Sequence, residues 1–271
     1  MRRVLITGAR APIALDLARS FAAAGFEPHL ADSVTSWCAR FSRTAQGRLH
    51  RLAPPRFAFA AFQRDLESLI ERLDPVLVIP TCEEVFYLAE AARRGGFADR
   101  VFAAPPDVLT RLHSKIAFAD LARQSGLDVP VTRRAGSPAD LEPFRGRARD
   151  LVFKPEFSRF ASHARVGPSD AEFSAISPSE ASPWAVQDRV RGEEFCLWSA
   201  ARNGALVAFC AYRPVWRLGQ SASFAFERVE DDRLHAVAAA VALATDATGQ
   251  FSFDVIVSPA GGVHPLECNP R

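Results

Sequence analysis

The sequence predicts a protein in two parts, an N-terminal α/β region with a parallel sheet followed by an α+β region. Apolar strands alternate with amphipathic helices as far as about residue 104, whereas most of the sequence from Trp184 onward has the pattern of strands. The length of 271 residues is enough for about two domains. We expect a first domain at 1–105 and a second at 106–271, with a smaller lobe at 106–183 and a larger lobe at 184–271.

The N-terminal region shows the strand–helix alternation of a doubly wound sheet. The elements, in order, are the strand RVLIT (3–7), a turn at 8–12, a helix at 11–24, a strand in EPHLADS (27–33), a helix at 62–73, the strand PVLVIP (75–80) and the helix TCEEVFYLAEAARRGG (81–96). PVLVIP is an unbroken apolar run, which suits a parallel strand covered on both faces. The glycines of the last segment are typical of a helix end.

The second region contains fewer helices and more strands. We expect a helix near 113–125, the segment VPVTRR (129–134), a helix start in SPADLEPF (137–144), the strand DLVFKP (150–155), a loop at 157–166, strands at 184–190, 193–202, 205–213 and 221–229, a helix at about 231–245, and strands at 250–257 and 263–267. No internal repeat or low-complexity linker interrupts this order.

Composition and charge favour small partners in a reducing compartment. The formal net charge is only +2, so the sequence gives no electrostatic reason to expect nucleic acid or an anionic membrane. No uninterrupted apolar stretch is long enough to span a bilayer. The five cysteines are scattered and include no CxxC pair, which excludes an obvious disulfide framework or zinc knuckle. We therefore expect a cytoplasmic protein.

Lysine is nearly absent from this chain. Of the 33 basic residues, only Lys115 and Lys154 are lysine, and the rest are arginine. A lysine ammonium is a compact point charge that suits a phosphate group in a way that a planar guanidinium does not. Both lysines are therefore candidate phosphate ligands. The alternative is that two lysines without a special role remain by chance in a chain that otherwise uses arginine.

The C-terminal segments QFSFDVIV and VHPLECN predict a hairpin that pairs two acidic side chains. Gln250, Ser252 and Asp254 alternate onto one face of the first strand, and Glu267 and Asn269 share a face of the second. A register in which paired residue numbers add up to about 521 places Asp254 opposite Glu267. Two carboxylates and an amide are ligands that Mg²⁺ accepts together with nucleotide phosphates. A solvated face of an antiparallel sheet is the alternative for the same pattern.

Taken together, these segments resemble the ATP-grasp superfamily, specifically the carboxylate–amine ligase-like proteins related to the ATP-binding domains of the carbamoyl-phosphate synthase large chain. The resemblance runs along nearly the whole chain and rests on LITGARAP, LHSK, VFKP, QDRVRGEE, FSFDV and ECNPR in the family's order. It implies an N-terminal pre-ATP-grasp domain followed by an ATP-grasp fold that ends early, at Arg271.

The resemblance also implies roles for individual residues. Lys115 and Lys154 match the phosphate-contacting lysines, Gln187, Asp188 and Val190 the segment that meets adenine, Glu194 the ribose-binding acid, Asp254, Glu267 and Asn269 the Mg²⁺ ligands, and Arg271 a residue facing the phosphate or acyl-phosphate region. The segment 157–166 matches the family's phosphate-covering loop.

The sequence departs from the family pattern at two of these positions. The loop after Lys154 lacks glycine, so its amides would approach phosphate from Ser158 or Ser162. Ser252 stands where several relatives carry a phosphate-binding arginine. Arg213 or Arg217 could replace that arginine, and a place on the surface without a function is the alternative for both.

The implied activity is ATP-dependent activation of a carboxylate to an acyl phosphate, followed by attack of an amine to give an amide. The expected cofactors are ATP and Mg²⁺, with Mn²⁺ as an alternative metal. Expected partners are a small carboxylate and an amine, without nucleic acid or membrane, and a homodimer is left open. Glu83 or Glu84 is a candidate for holding the amine, and helix initiation is the alternative role for both. Cys82 reads as a small buried cysteine rather than a nucleophile.

Two other functions remain open. A nicotinamide-dependent enzyme would explain LITGARAPIALDL and Asp32, but a dinucleotide fingerprint needs three glycines and only Gly8 is present. A non-catalytic ATP-binding or assembly module with a truncated ATP-grasp fold would bind ATP without turnover. ADP release that depends on a carboxylate and an amine separates the ligase from this module.

Overall fold

The computed structural model describes residues 1–158, 163–217 and 223–271. These residues form two compact units. The first consists of Met1–Leu109, Thr248–Gln250 and Arg271, and the second of Thr110–Ala247 and Phe251–Pro270.

The first unit is built on a four-stranded parallel sheet. Its strands are β1 (Arg3–Thr7), β2 (Glu27–Asp32), β3 (Leu49–Arg51) and β4 (Leu77–Ile79), in the spatial order β3-β2-β1-β4. Its helices are α1 (Pro12–Ala23), α2 (Trp37–Arg40), α3 (Phe59–Leu73) and α4 (Glu84–Gly95), with 3₁₀ turns at Arg43–Ala45 and Ala98–Arg100. The strand order reverses between β1 and β4, as in doubly wound sheets.

The helix ends in this unit follow from local sequence. On α3 the buried side chains recur at helical spacing, and the helix stops at Asp74, which is left-handed with φ 44°. The helix α4 ends at Gly96 with φ 71°, which confirms the expected glycine stop. The sequence did not predict α2 or β3, because both are too short for a hydrophobic period to appear.

The chain enters the second unit within α5 (Pro106–His113) and continues into α6 (Lys115–Gln124). A four-stranded antiparallel sheet follows, with β5 (Thr132–Ala135), β6 (Leu151–Pro155), β7 (Arg165–Val166) and β8 (Trp184–Asp188) in the order β5-β8-β6-β7. A 3₁₀ segment at Pro138–Asp150 and the helix α7 (Asp170–Ser174) lie between its strands in sequence.

The second sheet of this unit has five strands. They are β9 (Glu193–Arg202), β10 (Ala205–Arg217), β11 (Ser223–Val229), β12 (Gly249–Val257) and β13 (Val263–Pro270), in the order β11-β10-β9-β12-β13, with α8 (Asp232–Thr245) between β11 and β12 in sequence. The first four residues of β8, Trp184 to Gln187, pair with β5, so β8 belongs to the four-stranded sheet and not to the larger lobe in which we placed it. Sheet membership depends on such non-local pairing, which a strand's own sequence does not specify.

Apolar packing joins the helices of the second unit to its sheets. The ring of Phe118 on α6 lies 6.1 Å from that of Phe253 on β12, and α8 buries Leu234, Val237 and Val241. The structure therefore combines a parallel and an antiparallel part, as the sequence predicted. Among the described residues, no helix is both long enough and apolar enough to cross a bilayer.

Candidate nucleotide and metal site

The hairpin of β12 and β13 places two carboxylates side by side. Asp254 pairs with Glu267, and the pairs from Phe251 to Asp254 keep the expected register. The register then shifts by one residue, so that Val255 pairs with Pro265 and Leu266 is the extra residue of a β-bulge. Pro265 has no backbone N–H to donate, which favours an irregular ladder at this point.

Both lysines of the chain converge on the carboxylate of Glu267. Lys154, on β6, has its Nζ 3.5 Å from Glu267 Oε2, and Lys115, the first residue of α6, has its Nζ 3.8 Å from the same oxygen. The two residues are only 6% and 3% exposed. Three elements distant in sequence therefore bring two buried cations to one acidic side chain.

Backbone carbonyl groups hold the two ammonium groups in place. Lys154 Nζ donates to the carbonyl of Leu266 at 3.5 Å. Leu266 is the residue that the β-bulge leaves without a partner in the strand pairing. Lys115 Nζ donates to the carbonyls of Ser158 at 3.0 Å and Glu156 at 3.4 Å. Ser114 caps α6 by accepting from the N–H of Ala117 at 3.1 Å, which fixes the start of the helix next to Lys115.

The two carboxyl groups of the pair, Asp254 and Glu267, have pKa values that are shifted in opposite directions. Burial, followed by the neighbouring charge of Glu267, raises the pKa of Asp254 to about 7. Burial also acts to raise the pKa of Glu267, but Lys154 and Lys115 outweigh it and hold that pKa below its ordinary value. Burial lowers the pKa of Lys115, against the pull of Glu267. Without a bound cation, the site thus holds Glu267 ionised and retains a proton on Asp254 up to about neutral pH.

Replacing Asp254 by asparagine is expected to stabilise the metal-free protein at pH 8. A carboxyl group whose folded-state pKa lies above its unfolded value of 3.8 contributes stability at low pH that is lost as the pH rises through about 7. The gain from Asp254→Asn should grow between about pH 4 and pH 7 and reach at least about 1 kcal/mol at pH 8. Thermal unfolding with a chelator, compared at pH 5 and pH 8, measures it, and equal gains at both values would contradict the prediction.

The oxygen ligands of the hairpin suit a divalent cation that takes its remaining ligands from a nucleotide. Among the described residues, no group of three or more His, Cys, Asp and Glu side chains is arranged to bind a metal by itself. Asp254 and Glu267 offer carboxylate oxygens, and Asn269, two residues along the same face of β13, offers an amide oxygen. Mg²⁺ typically binds to one or two protein carboxylates and takes its other ligands from phosphates and water.

The structure assigns other partners to several of the remaining candidates. Gln187 is buried on β8 and donates to the hydroxyl of Thr132 at 3.0 Å, and Asp188 accepts from Arg147 at 3.0 Å. Val190 is partly buried and Glu194 is exposed. Arg213 pairs at the surface with Glu193 at 2.9 Å and with Glu227.

The structure describes some, but not all, of the remaining candidates, which are the two serines of the glycine-free loop, Arg217 and Arg271. Ser158 donates its hydroxyl to the carbonyl of Pro155 at 3.2 Å and presents its own carbonyl to Lys115. Ser162 and the side chain of Arg217 lie outside the part of the chain that the structure describes. Arg271 belongs to the first unit, where its Nε is buried without a hydrogen-bond partner among the described residues.

A second polar cluster lies in the first unit, at the ends of β1 and β4. Glu84 is only 6% exposed, and its Oε1 accepts from the Thr7 hydroxyl at 2.9 Å and from the amides of Thr81 at 3.1 Å and Cys82 at 3.3 Å. Its Oε2 is buried without a hydrogen-bond partner among the described residues. Glu83 precedes α4. Of the two acids considered from the sequence, Glu84 is buried with an oxygen that lacks a partner among the described residues, whereas Glu83 is exposed.

The first unit also contains evidence against a nucleophilic Cys82 and against a dinucleotide site at Asp32. Burial, followed by the charge of Glu84, raises the pKa of the Cys82 thiol, which is the opposite of what a nucleophile needs. Asp32 accepts from the Arg10 amide at 2.7 Å and pairs with the Arg10 guanidinium at 3.0 Å. Its carboxylate is therefore already engaged, whereas a dinucleotide fold would use it on a ribose.

Sequence reasoning missed two residues of the site in the second unit. Cys196, on β9, donates its thiol to Asp254 Oδ1 at 3.4 Å. Glu156 accepts a hydrogen bond from the hydroxyl of Ser114, and its carbonyl accepts from Lys115. A lone cysteine in a strand has no pattern that marks it. Glu156 does lie two residues after Lys154, where alternation places both on one face, and that signal could have been used.

Comparison with known proteins shows likeness in structure only. Neither a protein-family model nor a curated protein matches the chain. Among solved structures, an L-amino acid ligase from Bacillus licheniformis matches at a TM-score of 0.72 with 16% identity, covering 100% of this chain and 67% of the ligase.

Two carboxylase structures match similarly. One is a biotin carboxylase from Campylobacter jejuni in complex with β-γ-ATP, at a TM-score of 0.75 and 13% identity, covering 100% of this chain and 65% of that one. The other is the biotin carboxylase domain dimer of Hydrogenobacter thermophilus 2-oxoglutarate carboxylase with MgADP, ADP and bicarbonate. It matches at a TM-score of 0.73 with 12% identity, covering 100% of this chain and 64% of that one. The chain thus spans about two thirds of the length of these three structures.

Proposed function

Because the chain has the fold of the ATP-grasp carboxylate–amine ligases, we propose that it is an ATP- and Mg²⁺-dependent ligase that joins a carboxylate to an amine. The observation that carries the proposal is the convergence of Lys115 and Lys154 on the carboxylate pair of Asp254 and Glu267. Two buried cations beside two acidic oxygen ligands match the needs of a metal-bound polyphosphate.

The charges of the site support an exchange of partners when the nucleotide binds. Without nucleotide, Glu267 is the counter-ion of both lysines. Phosphate oxygens would take over the ammonium groups of Lys115 and Lys154, and the carboxylates of Asp254 and Glu267, with the amide of Asn269, would hold Mg²⁺ or Mn²⁺. A divalent cation held by these residues would supply positive charge that offsets the negative charge developing during phosphoryl transfer. Asp254 would lose its proton in the exchange, since a metal-bound carboxylate is ionised.

The rest of the nucleotide site is proposed on family resemblance. The backbone at Gln187, Asp188 and Val190 would meet adenine, and Glu194 would accept hydrogen bonds from the ribose hydroxyls. Ser158 stands where the covering loop begins, and Arg271 would face the transferring phosphoryl group. Arg213 and Arg217 are candidates for the missing arginine, and Arg213 would have to leave Glu193 and Glu227 to act.

The chemistry that these residues serve is the formation of a carbon–nitrogen bond in two steps. A substrate carboxylate oxygen bonds to the γ-phosphorus of ATP as the bond to the bridging oxygen breaks, which releases ADP and gives an acyl phosphate. The amine nitrogen then bonds to the acyl carbon, and inorganic phosphate and the amine proton leave. The lysines orient and stabilise the transferring phosphoryl group, so no protein nucleophile is needed.

The first unit is the proposed pre-ATP-grasp domain, and it has a candidate ligand site of its own. The ends of β1 and β4 form the switch point of its parallel sheet, where α/β proteins bind ligands. The Oε2 of Glu84, which has no hydrogen-bond partner in the described part of the chain, would accept a hydrogen bond from an amine there. A small carboxylate and a small amine are therefore the proposed substrates.

Calorimetry with a non-hydrolysable ATP analogue, with and without Mg²⁺, tests the proposal. We expect micromolar binding that requires Mg²⁺. ADP release that depends on both a carboxylate and an amine, measured over a substrate panel, would then identify the ligase. Binding without such turnover would favour a non-catalytic ATP-binding or assembly module, and no nucleotide binding would reject both.

A further inference from the structure

Cys196 contacts Asp254 of the acidic pair from a neighbouring strand. The residue lies on β9, which is the hydrogen-bonded neighbour of β12, and its Sγ is 3.4 Å from Oδ1 of Asp254. Phe195 and Leu197 on either side of it are buried, so strand alternation turns Cys196 to the opposite face, toward Asp254. The thiol thus joins the carboxylate edge of the site from the side opposite to β13.

The contact answers a specific problem of the carboxylate pair. Asp254 and Glu267 are directly opposite each other on neighbouring strands, so the two carboxylates repel each other when Asp254 loses its proton to bind a metal. Glu267 is held by two lysines. Asp254 shares a side-chain hydrogen bond with Glu267 while it keeps its proton, and the thiol of Cys196 donates to its Oδ1. Rotation about the last side-chain bond of an aspartate is soft, so a donor on one oxygen restrains the direction of the other.

We propose that Cys196 is a positioning residue of the metal site, whose S–H holds the carboxylate of Asp254 in the orientation that binds the cation. The inference rests on the proposed function, because it needs a divalent metal at Asp254 and Glu267. Groups that hydrogen-bond to metal ligands orient them, and losing such a group typically lowers metal affinity by about 10- to 100-fold. A thiol is a weak donor, so the loss here falls at the lower end of that range.

Substitutions of Cys196 separate the hydrogen bond from the packing of the side chain. Cys196→Ser keeps a donor, Cys196→Ala removes it with some volume, and Cys196→Val removes it but fills the space. The matched control is Cys210→Ala. Cys210 is partly buried on β10, opposite Trp198, and therefore shares the face of Cys196 one strand farther from Asp254.

The measurement is the Mg²⁺ concentration that gives half-maximal binding of a non-hydrolysable ATP analogue. We expect it to rise about tenfold in Cys196→Ala and Cys196→Val, to stay within about twofold of wild type in Cys196→Ser, and to be unchanged in Cys210→Ala. Affinity for the analogue at saturating Mg²⁺ should stay near the wild-type value in every variant, which a general disturbance of the fold would not allow.

The outcomes separate this inference from the proposed function. Mg²⁺-dependent binding in the wild type with an unchanged Mg²⁺ requirement in Cys196→Ala and Cys196→Val would overturn the positioning role alone. An equal loss in Cys196→Ser would also overturn it, because the retained donor should rescue the site. A wild-type protein that binds the analogue without any Mg²⁺ effect would overturn the proposed metal site and the role of Cys196 together.

Discussion

Replacing Glu267 by glutamine is expected to abolish the Mg²⁺ dependence of nucleotide binding while the protein stays folded. Glu267 is the acidic group on which both buried lysines converge, at 3.5 and 3.8 Å, and it lies opposite Asp254. Glutamine keeps the size and one oxygen but removes the charge that a hard cation requires. Calorimetry over a Mg²⁺ series measures the effect, and analogue binding should become weak and independent of Mg²⁺.

The fold should tolerate this change because two effects oppose each other. Lys115 and Lys154 lose their counter-ion, which is destabilising for buried charges, but Asp254 loses a like-charged neighbour. Cooperative thermal unfolding of Glu267→Gln would verify that it folds. Glu230→Gln is the control, since Glu230 is an exposed acid that pairs with Arg228 at the surface. A Mg²⁺ requirement in Glu267→Gln equal to that of the control would show that the hairpin does not bind the metal.

Strand alternation, together with one choice of hairpin register, predicted the pairing of the two acids. Side chains repeat every two residues in a strand, so one register decides whether Asp254 and Glu267 share a face, and the turn between the strands is short. The bulge at Leu266 was not predictable in the same way, because it depends on how Pro265 meets Val255 across the ladder. That bulge matters, since it directs the carbonyl of Leu266 to Lys154.

The rarity of lysine drew attention to the two residues that the structure brings to Glu267, but it did not predict their arrangement. Lys115 is at a helix start, Lys154 is in a strand of one sheet and Glu267 is in a strand of the other. Their meeting depends on how helix and sheets pack, which no local pattern encodes. The same holds for Cys196, whose contact with Asp254 requires β9 to lie beside β12, and for β8, whose sheet is fixed by pairing with β5 and β6.

Replacing Lys154 by alanine is expected to weaken Mg²⁺–ATP binding by more than about tenfold. Lys154 is 6% exposed, and its ammonium group is already positioned by Leu266 and Glu267, so it would meet a phosphate without first losing much side-chain freedom. Tenfold in affinity corresponds to about 1.4 kcal/mol, which is modest for a charge-assisted hydrogen bond in a buried site. Titration with the ATP analogue at saturating Mg²⁺ measures the loss.

Lys154→Arg distinguishes a requirement for charge from a requirement for shape. Apart from Lys115 and Lys154, all basic residues of the chain other than histidine are arginine. A lysine at position 154 therefore implies that a point charge fits where a planar guanidinium does not. We expect Lys154→Arg to bind the analogue more weakly than wild type and more tightly than Lys154→Ala. Arg228→Ala, at an exposed surface pair, is the control for loss of one positive charge and should leave binding unchanged. Unchanged affinity in Lys154→Ala would remove Lys154 from the phosphate site, and wild-type affinity in Lys154→Arg would show that its identity as lysine is incidental.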